Sequence, residues 1–196
     1  MRVFRGVFKG LLLKKSGILL VGRHVKISNS RHIKTGKLVK FEDYSEIQGL
    51  SQNGIVLEDY VTIGRNVQIR PSSYYGVGII GAGLKVDENS SIGPNGFIGC
   101  AGQVNIGKNV MIGPNVTIIA ENHNFNEKST SIKSQGVNQQ GITIEDNVWI
   151  GANVTILDGV NIGAGSVIGA TTLINKDVQA NMVYVDKKNS FQKSGN

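Results

Sequence analysis

Histidine is scarce in this sequence, and one of the three histidines has a setting that suits chemistry. His24 and His32 lie in a strongly basic N-terminal region, where surface or phosphate-contacting roles are expected. His123 instead stands directly before the polar stretch NFNEKSTSIKSQGVNQQGIT. An imidazole exchanges a proton near neutral pH, which suits general base catalysis. From the residues alone, His123 is either such a base or an ordinary polar loop residue.

Two carboxylates flank His123 and are candidates to orient its ring. A catalytic imidazole needs a partner for its second nitrogen. Glu127 is ranked slightly above Glu121 for this role, and a backbone carbonyl would serve equally well. Asn122 and Asn124 are expected only to shape the turn.

The composition excludes several other kinds of chemistry. The only cysteine, Cys100, permits no intrachain disulfide, and no His or Cys cluster has zinc-site spacing, so no metal site is predicted. The net charge is +7, yet eleven Lys or Arg and no acid precede Glu42, whereas ten basic and fourteen acidic residues follow. Nucleic acid is a weak interpretation of this basic region, because no aromatic platform or recognised motif accompanies it.

A six-residue repeat organises the C-terminal half of the chain. Residues 144–179 read IEDNVW, IGANVT, ILDGVN, IGAGSV, IGATTL and INKDVQ, so each unit opens with Ile and has a β-branched or small residue at its fifth position. Gly, Asn and Asp lie between them, which indicates a short strand followed by a tight turn. A strict period this short predicts a β-solenoid.

The same period extends through most of the chain and defines its segments. It is clear from Leu57, is broken by YGVGI, slips at Val104 and stops after His123. Residues 17–40 look like degenerate first turns. We therefore predict a solenoid over 17–180 with a loop insertion at 124–142, and a C-terminal tail over 181–196. Loops that leave repeat proteins often form the binding face.

Residues 1–16 form a separate basic amphipathic segment. Its apolar residues recur at helical spacing, and it is far too short to span a bilayer. A helix of this kind either lies on an anionic membrane surface or covers the open end of the solenoid, and these two interpretations are compatible.

The hexapeptides, the run DNVWIGANVTILDGVNIGAGSVIGA and the NHNF before the insertion resemble the hexapeptide-repeat acyltransferases. The closest likeness is to maltose and galactoside acetyltransferases and to the branch associated with capsule, O-antigen and exopolysaccharide synthesis. The resemblance implies an all-β fold, a left-handed parallel β-helix with three hexapeptides per coil. It also implies a homotrimer that binds acetyl-CoA between neighbouring prisms, with His123 as the catalytic base.

The same likeness implies a set of cofactor-binding positions. Ala152 and Ala170 match small residues that line the pantetheine groove, while Asn175 and Lys176 match a Thr-Lys pair at the far end of the cofactor. Family arginines expected beyond that pair are absent, and Lys187 or Lys188 could replace them.

Two further residues complete the expected site. Trp149, at the sixth position of its hexapeptide, should point outward, against the pantetheine or a neighbouring subunit. Asn95 either faces the catalytic site, as a family Asn does, or serves its own turn.

The expected function is acetyl-CoA-dependent O-acetylation of a saccharide hydroxyl, without a metal, on a nucleotide-, lipid- or polymer-linked acceptor. The expected location is the cytoplasm, with peripheral contact at the inner membrane surface through the basic N-terminus. The alternatives are N-acetylation or succinylation of an amino sugar, a zinc hydratase that the three scattered histidines do not favour, and a non-catalytic scaffold.

Overall fold

The computed structural model describes residues 14–72 and 80–186. In these two ranges the chain forms short β-strands and two 3-10 helices, η1 (Ser30–His32) and η2 (Ile132–Gln135). The strands are β1 (Lys14–Lys15), β2 (Leu19–Val21), β3 (Lys26–Ser28), β4 (Ile33–Thr35), β5 (Val39–Phe41), β6 (Glu46–Gln48), β7 (Gly54–Leu57), β8 (Thr62–Ile63), β9 (Gln68–Arg70), β10 (Gly83–Val86), β11 (Ser91–Ile92), β12 (Phe97–Gly99), β13 (Val104–Ile106), β14 (Met111–Ile112), β15 (Thr117–Ile119), β16 (Asn122–His123), β17 (Val137–Asn138), β18 (Ile142–Ile144), β19 (Trp149–Ile150), β20 (Thr155–Leu157), β21 (Asn161–Ile162), β22 (Val167–Ile168), β23 (Leu173–Ile174) and β24 (Val183–Tyr184).

Three parallel sheets form the three faces of a prism, and successive strands visit them in turn. Face 1 has the order β1-β4-β7-β10-β13-β18-β21, face 2 has β2-β5-β8-β11-β14-β19-β22-β24, and face 3 has β3-β6-β9-β12-β15-β20-β23. One coil therefore contributes one strand to each face. We call the turn from face 1 to face 2 the first corner, that from face 2 to face 3 the second corner, and that from face 3 back to face 1 the third corner.

Stacked aliphatic side chains fill the prism, as the repeat predicts. The six Ile residues that open the C-terminal hexapeptides are buried, each with at most 1% of its surface exposed: Ile144, Ile150, Ile156, Ile162, Ile168 and Ile174. The fifth positions are buried as well, and there Ser166 and Thr172 replace Val. Because each apolar residue lies above its equivalent in the preceding coil, burial and strand register reinforce each other.

Left-handed backbone conformations form the tight turns. At the second corner, asparagines with φ between 56° and 60° recur in four successive coils: Asn66, Asn95, Asn115 and Asn153. Their side chains connect neighbouring coils, since the Asn66 amide donates to Asn95 and the Asn115 amide donates to Asn153, both at 3.1 Å. Asn tolerates this conformation better than most residues, which explains the Asn of the repeat.

The structure extends the solenoid slightly beyond the predicted boundaries. Residues 17–40 form early coils whose strands pair with residues 20 or 22 places later, against 18 in the last full coils. The sequence predicts a helix in segment 1–16, but Lys14–Lys15 near its end forms a strand that pairs with Lys34 and Thr35. Similarly, Val183–Tyr184 of the predicted tail pairs with Val167–Ile168 on face 2. Residues 1–13 and 187–196, with Lys187 and Lys188, lie outside the described residues.

Within the described ranges, no helix is long and apolar enough to cross a membrane.

Candidate active site

A small hairpin leaves the third corner between β15 and β18 and carries His123. Asn122–His123 pairs antiparallel with Val137–Asn138, so His123 lies opposite Val137. The Asn124 amide donates to the carbonyl of Gly136 at 3.1 Å, which continues the ladder by one step. The hairpin thus begins at Asn122, two residues before the insertion predicted at 124–142, and the last residue of that insertion, Ile142, already belongs to face 1.

Gln135 fastens the tip of this hairpin. Its side-chain amide donates to the carbonyls of Glu127 and Thr130 at 2.8 and 2.9 Å, and its side-chain oxygen accepts from the Glu127 amide at 3.0 Å. Three hydrogen bonds from one side chain give a polar loop a defined shape. Two apolar side chains on this loop, Phe125 and Ile132, nevertheless remain 69% and 57% exposed.

The carboxylate of Glu127 is directed into its own turn. Its Oε1 accepts from the amide and the hydroxyl of Ser129 at 3.0 and 2.7 Å. These two hydrogen bonds, the backbone one first, hold the pKa of Glu127 below its ordinary value. Among the described residues, no hydrogen bond connects Glu127 with His123.

The environment of His123 is half-buried and asymmetric. Its Nδ1 atom is buried and has no hydrogen-bond partner among the described residues. Its Nε2 atom makes no hydrogen bond with the described residues either. One nitrogen is thus available to a ligand, while the other lacks the acceptor that an oriented imidazole normally has.

Glu121 has a matching unpartnered atom two residues earlier. Its Oε2 is buried without a hydrogen bond among the described residues. Exposure alternates along this segment, with Glu121 and His123 half-buried and Asn122 and Asn124 exposed. Side chains two apart in an extended segment lie on the same side of the backbone. Glu121 and His123 therefore share one side, and both have an unsatisfied buried atom.

Asp158 anchors the point where the insertion returns to the coil. Its carboxylate accepts from the amide of Gln140 at 2.9 Å and from that of Gly141 at 2.8 Å. Gly141 has a φ of 92°, a conformation that favours glycine. Sequence reasoning missed Asp158 and Gln135 as residues that shape the loop. The Asp-Gly pair at 158–159 indicated a turn, but no sequence signal indicated its partner.

The expected cofactor residues lie at other places on the prism. Ala152 and Ala170 follow the face 2 strands β19 and β22, so both lie at the second corner, which also carries Asn95. Their backbones pack closely on the coil below: a methyl group on Gly151 would lie 2.6 Å from the Ala170 nitrogen. Asn95 has φ 60° and belongs to the asparagine series, which supports a turn role.

Trp149, Asn175 and Lys176 are exposed. Trp149 is 52% exposed on face 2, in register between Met111 and Val167, which confirms its outward orientation. Asn175 and Lys176 follow β23 at the third corner, two coils after the coil that bears the His123 hairpin. One chain therefore brings His123 and Lys176 to the same corner and Ala152 and Ala170 to another.

Two other features of the described residues carry none of the predicted roles. Cys100 is fully buried, and burial raises the pKa of its thiol, so it is an inert core residue. A shallow groove on face 1, whose lining includes Asp87, Thr143 and Asp146, contains no predicted site residue. In the described ranges, no group of three or more His, Cys, Asp or Glu is arranged to hold a metal ion.

The β-helix of hexapeptide coils and the hairpin that carries His123 place this chain in the class of hexapeptide-repeat transferases. The family described as bacterial transferase hexapeptide (six repeats) matches residues 141–176. A galactoside O-acetyltransferase of Lactococcus lactis is 36% identical over 151 residues, covering 74% of this chain and 69% of that protein. The galactoside O-acetyltransferase of Escherichia coli is 34% identical over 139 residues, covering 71% and 65%. The chain belongs to the hexapeptide-repeat acyltransferase family that contains these enzymes.

Solved structures agree on the fold. The N-acyltransferase AntD of Bacillus cereus, solved with dTDP and 3-hydroxybutyryl-CoA, superposes with a TM-score of 0.60 at 16% identity, covering 93% of this chain and 83% of AntD. A hexapeptide-repeat acetyltransferase of Vibrio cholerae superposes with a TM-score of 0.53 at 19% identity, covering 94% and 77%. These likenesses confirm the predicted left-handed parallel β-helix.

Proposed function

We propose that this protein is an O-acetyltransferase that moves an acetyl group from acetyl-CoA to a saccharide hydroxyl, with His123 as the general base. The observation that carries the proposal is the half-buried imidazole of His123 at the base of the hairpin, whose ring nitrogens make no hydrogen bond with the described residues. Two galactoside O-acetyltransferases among its relatives support the reaction class.

In the proposed reaction, His123 Nε2 takes the proton of the acceptor hydroxyl as the oxygen attacks the thioester carbonyl. The tetrahedral intermediate then collapses, the C–S bond breaks, and the coenzyme A thiolate leaves with the proton returned by the imidazolium. The products are the acetyl ester and free coenzyme A. A thioester is already activated, so the chemistry requires no metal.

Glu121 is our candidate to orient the ring, ahead of Glu127. The carboxylate of Glu127 is engaged by Ser129, whereas Glu121 Oε2 is buried, unpartnered and on the same side of the segment as His123. A side-chain rotation on substrate binding would allow Glu121 to accept a hydrogen bond from the Nδ1–H of His123. This order reverses the ranking expected from the sequence.

We further propose that the working enzyme is a homotrimer with acetyl-CoA bound between neighbouring chains. Ala152 and Ala170 lie at a different corner from His123, so one chain alone does not gather the expected site. A second prism that packs its second corner against the first prism's third corner would gather it. The exposed Phe125, Trp149 and Ile132 supply apolar surface for such a contact.

In this arrangement Ala152 and Ala170 line the pantetheine groove, because their small side chains leave the second corner open. Asn175 and Lys176 meet the nucleotide end, where the ammonium group of Lys176 can pair with a phosphate. Asn95 remains a candidate for the acceptor side. The acceptor belongs to capsule, O-antigen or exopolysaccharide synthesis in this proposal, and the basic N-terminus contacts the inner membrane surface where lipid-linked precursors are held.

The decisive experiment compares wild type, His123→Ala and the control His32→Ala with acetyl-CoA and a panel of nucleotide-, lipid- and polymer-linked saccharides. His32 lies in η1 at the far end of the prism. Loss of about 10²–10⁴-fold in kcat is expected for His123→Ala only. Retained activity in that variant would refute the base assignment, and acetyl-CoA that binds no variant would favour a non-catalytic scaffold.

Transfer to an amino-sugar nitrogen is the second candidate, because the similar fold of AntD belongs to an N-acyltransferase. Matched acceptors that differ only in a hydroxyl or an amine at one carbon separate the two reactions. Acetylation of the amine alone would establish N-acyl transfer, and parallel assays with succinyl-CoA would test the acyl group.

A further inference from the structure

One position of the first corner changes character abruptly along the prism. At this corner the strand register makes one residue of each coil equivalent to one residue of the next. This residue lies two places before the outward-facing residue of the face 2 strand. The later coils place small polar residues or glycine there: Asn89, Asn109, Asn147 and Gly165. The first three coils place Ile18, Leu38 and Tyr60 there, with 55%, 42% and 55% of each residue exposed.

Two of these bulky residues adopt a backbone conformation that opposes them. Leu38 has φ 54° and Tyr60 has φ 63°, in the left-handed region that Asn and Gly adopt most readily. The fold does not require a large side chain here, since Asn occupies the equivalent position in later coils. Because both side chains remain largely exposed, core packing does not account for them either.

The second corner shows the same change at the same end. The position held by Asn66 and Asn95 in later coils is His24 and Tyr44 in the first two, with φ 54° and 65°. The His24 and Tyr44 rings stack at 4.9 Å, and the Arg65 guanidinium lies 5.1 Å from the centre of the Tyr44 ring. Both corners that border face 2 thus carry strained, exposed, bulky side chains in the early coils.

The charge of this end is strongly positive. Residues 14–41 contain eight Lys or Arg and no Asp or Glu. Of the carboxylates that follow, Asp43 accepts the Arg23 amide and Asp59 accepts the Lys37 amide at 2.8 and 2.7 Å. Glu58 lines a groove together with Lys34. Glu42 pairs with Lys40. Among the described residues, neither Lys34 nor Lys37 has a carboxylate within ion-pair distance.

We propose that the early coils form a docking surface for an anionic lipid bilayer. Its apolar ledge is Ile18, Leu38 and Tyr60. Lys37 directly precedes Leu38 in the chain, and Lys34 lies on β4, the face 1 strand that leads into the same corner. Tyrosine and aliphatic side chains enter the headgroup region, and neighbouring cations attract acidic lipids, so both features favour the same partner. The surface belongs to folded coils, extends beyond the contact proposed for residues 1–16, and does not depend on acetyl transfer.

The test uses the full-length protein and co-sedimentation with vesicles of phosphatidylcholine alone or mixed with phosphatidylglycerol. The variant Leu38→Asn/Tyr60→Asn should bind mixed vesicles about tenfold less tightly, while its melting temperature stays equal or rises, because Asn suits both backbone positions. Lys34→Gln/Lys37→Gln should weaken binding similarly and reduce its salt dependence. Met182→Asn, 49% exposed in the last coil, is the apolar control, and Lys128→Gln/Lys133→Gln, on the hairpin, is the charge control. Both should bind like wild type.

Three outcomes would overturn the proposal. The first is wild-type vesicle binding by both early-coil variants, which would assign any lipid contact to other residues. The second is equal binding to vesicles with and without phosphatidylglycerol. The third is a lower oligomer mass for Leu38→Asn/Tyr60→Asn in light scattering with unchanged vesicle binding, which would identify the ledge as a contact between copies of the chain.

Discussion

Replacing Glu121 and Glu127 by Gln, each in turn, tests which carboxylate supports His123. Glu121→Gln keeps the size and a hydrogen-bonding oxygen but removes the negative charge on the side of the segment that carries the imidazole. Glu127→Gln removes the same charge from a carboxylate that is occupied by Ser129. The two variants therefore make the same chemical change. They differ in whether the lost charge lies on the side of His123 or is already engaged by Ser129.

The expected magnitude follows from the unpartnered atoms. His123 Nδ1 and Glu121 Oε2 are both buried, and neither atom has a hydrogen-bond partner among the described residues. Neither atom therefore has an alternative there to pairing with the other. Loss of an orienting partner typically costs about 10–100-fold in activity, which is about 1.4–2.7 kcal/mol of transition-state stabilisation. Glu127→Gln should change the rate less than about threefold, since its effect on His123 is indirect.

The assay is release of free coenzyme A thiol with the acceptor identified by the panel described above. If Glu121 acts only through His123, as we propose, kcat should fall while KM for acetyl-CoA and the melting temperature hold. A general loss of structure would instead lower the melting temperature. Wild-type kcat in Glu121→Gln together with a large loss in Glu127→Gln would refute the assignment and restore the order expected from the sequence.

Three further predictions concern the loop and the core. Asp158→Ala removes the acceptor of the Gln140 and Gly141 amides. We expect the free energy of local unfolding of the hairpin to fall by about 1.5–3 kcal/mol. Proteolysis of the hairpin should then be faster, while the melting profile of the coils is unchanged. Ile150→Ala opens a cavity at a fully buried position and should lower the free energy of urea unfolding by about 2–5 kcal/mol. Because the folded pKa of Glu127 is depressed, its contribution to loop order is present above its ordinary pKa of about 4.3 and is lost as the pH falls through the depressed value, so loop proteolysis by pepsin should accelerate below about pH 4.

The solenoid was predictable because its constraint is strictly local and repeated. An Ile at every sixth residue and a small or β-branched residue four places later can be buried together only if the chain turns in register, and Ile150 and Val154 are buried as this requires. The six-residue repeat also predicts that Trp149, at the sixth position of its unit, points outward. The strand at Val183–Tyr184 escaped prediction because its hexapeptide has lost the Ile, while its backbone still completes face 2.

The candidate site was only partly predictable, because it depends on contacts between distant residues. His123 was identifiable from its type and from the family motif. The orienting carboxylate was not, since the engagement of Glu127 depends on Ser129 and on the clamp by Gln135, neither of which a repeat pattern specifies. The separation of Ala152 from His123 by one corner emerges only when the chain is traced around the three faces.

The contrast between coils and hairpin indicates where substrate choice can vary. Each buried coil residue is held by strand register and by the aliphatic stack, so a change there disturbs the neighbouring coils. The hairpin is held at two points, by Gln135 at its tip and by Asp158 at its return. Exposed hairpin residues such as Phe125 and Ile132 can therefore change without disturbing the position of His123, because that position is set by the antiparallel pair with Val137. Acceptor preference is accordingly expected to lie in the hairpin, and binding of the acyl donor in the coils.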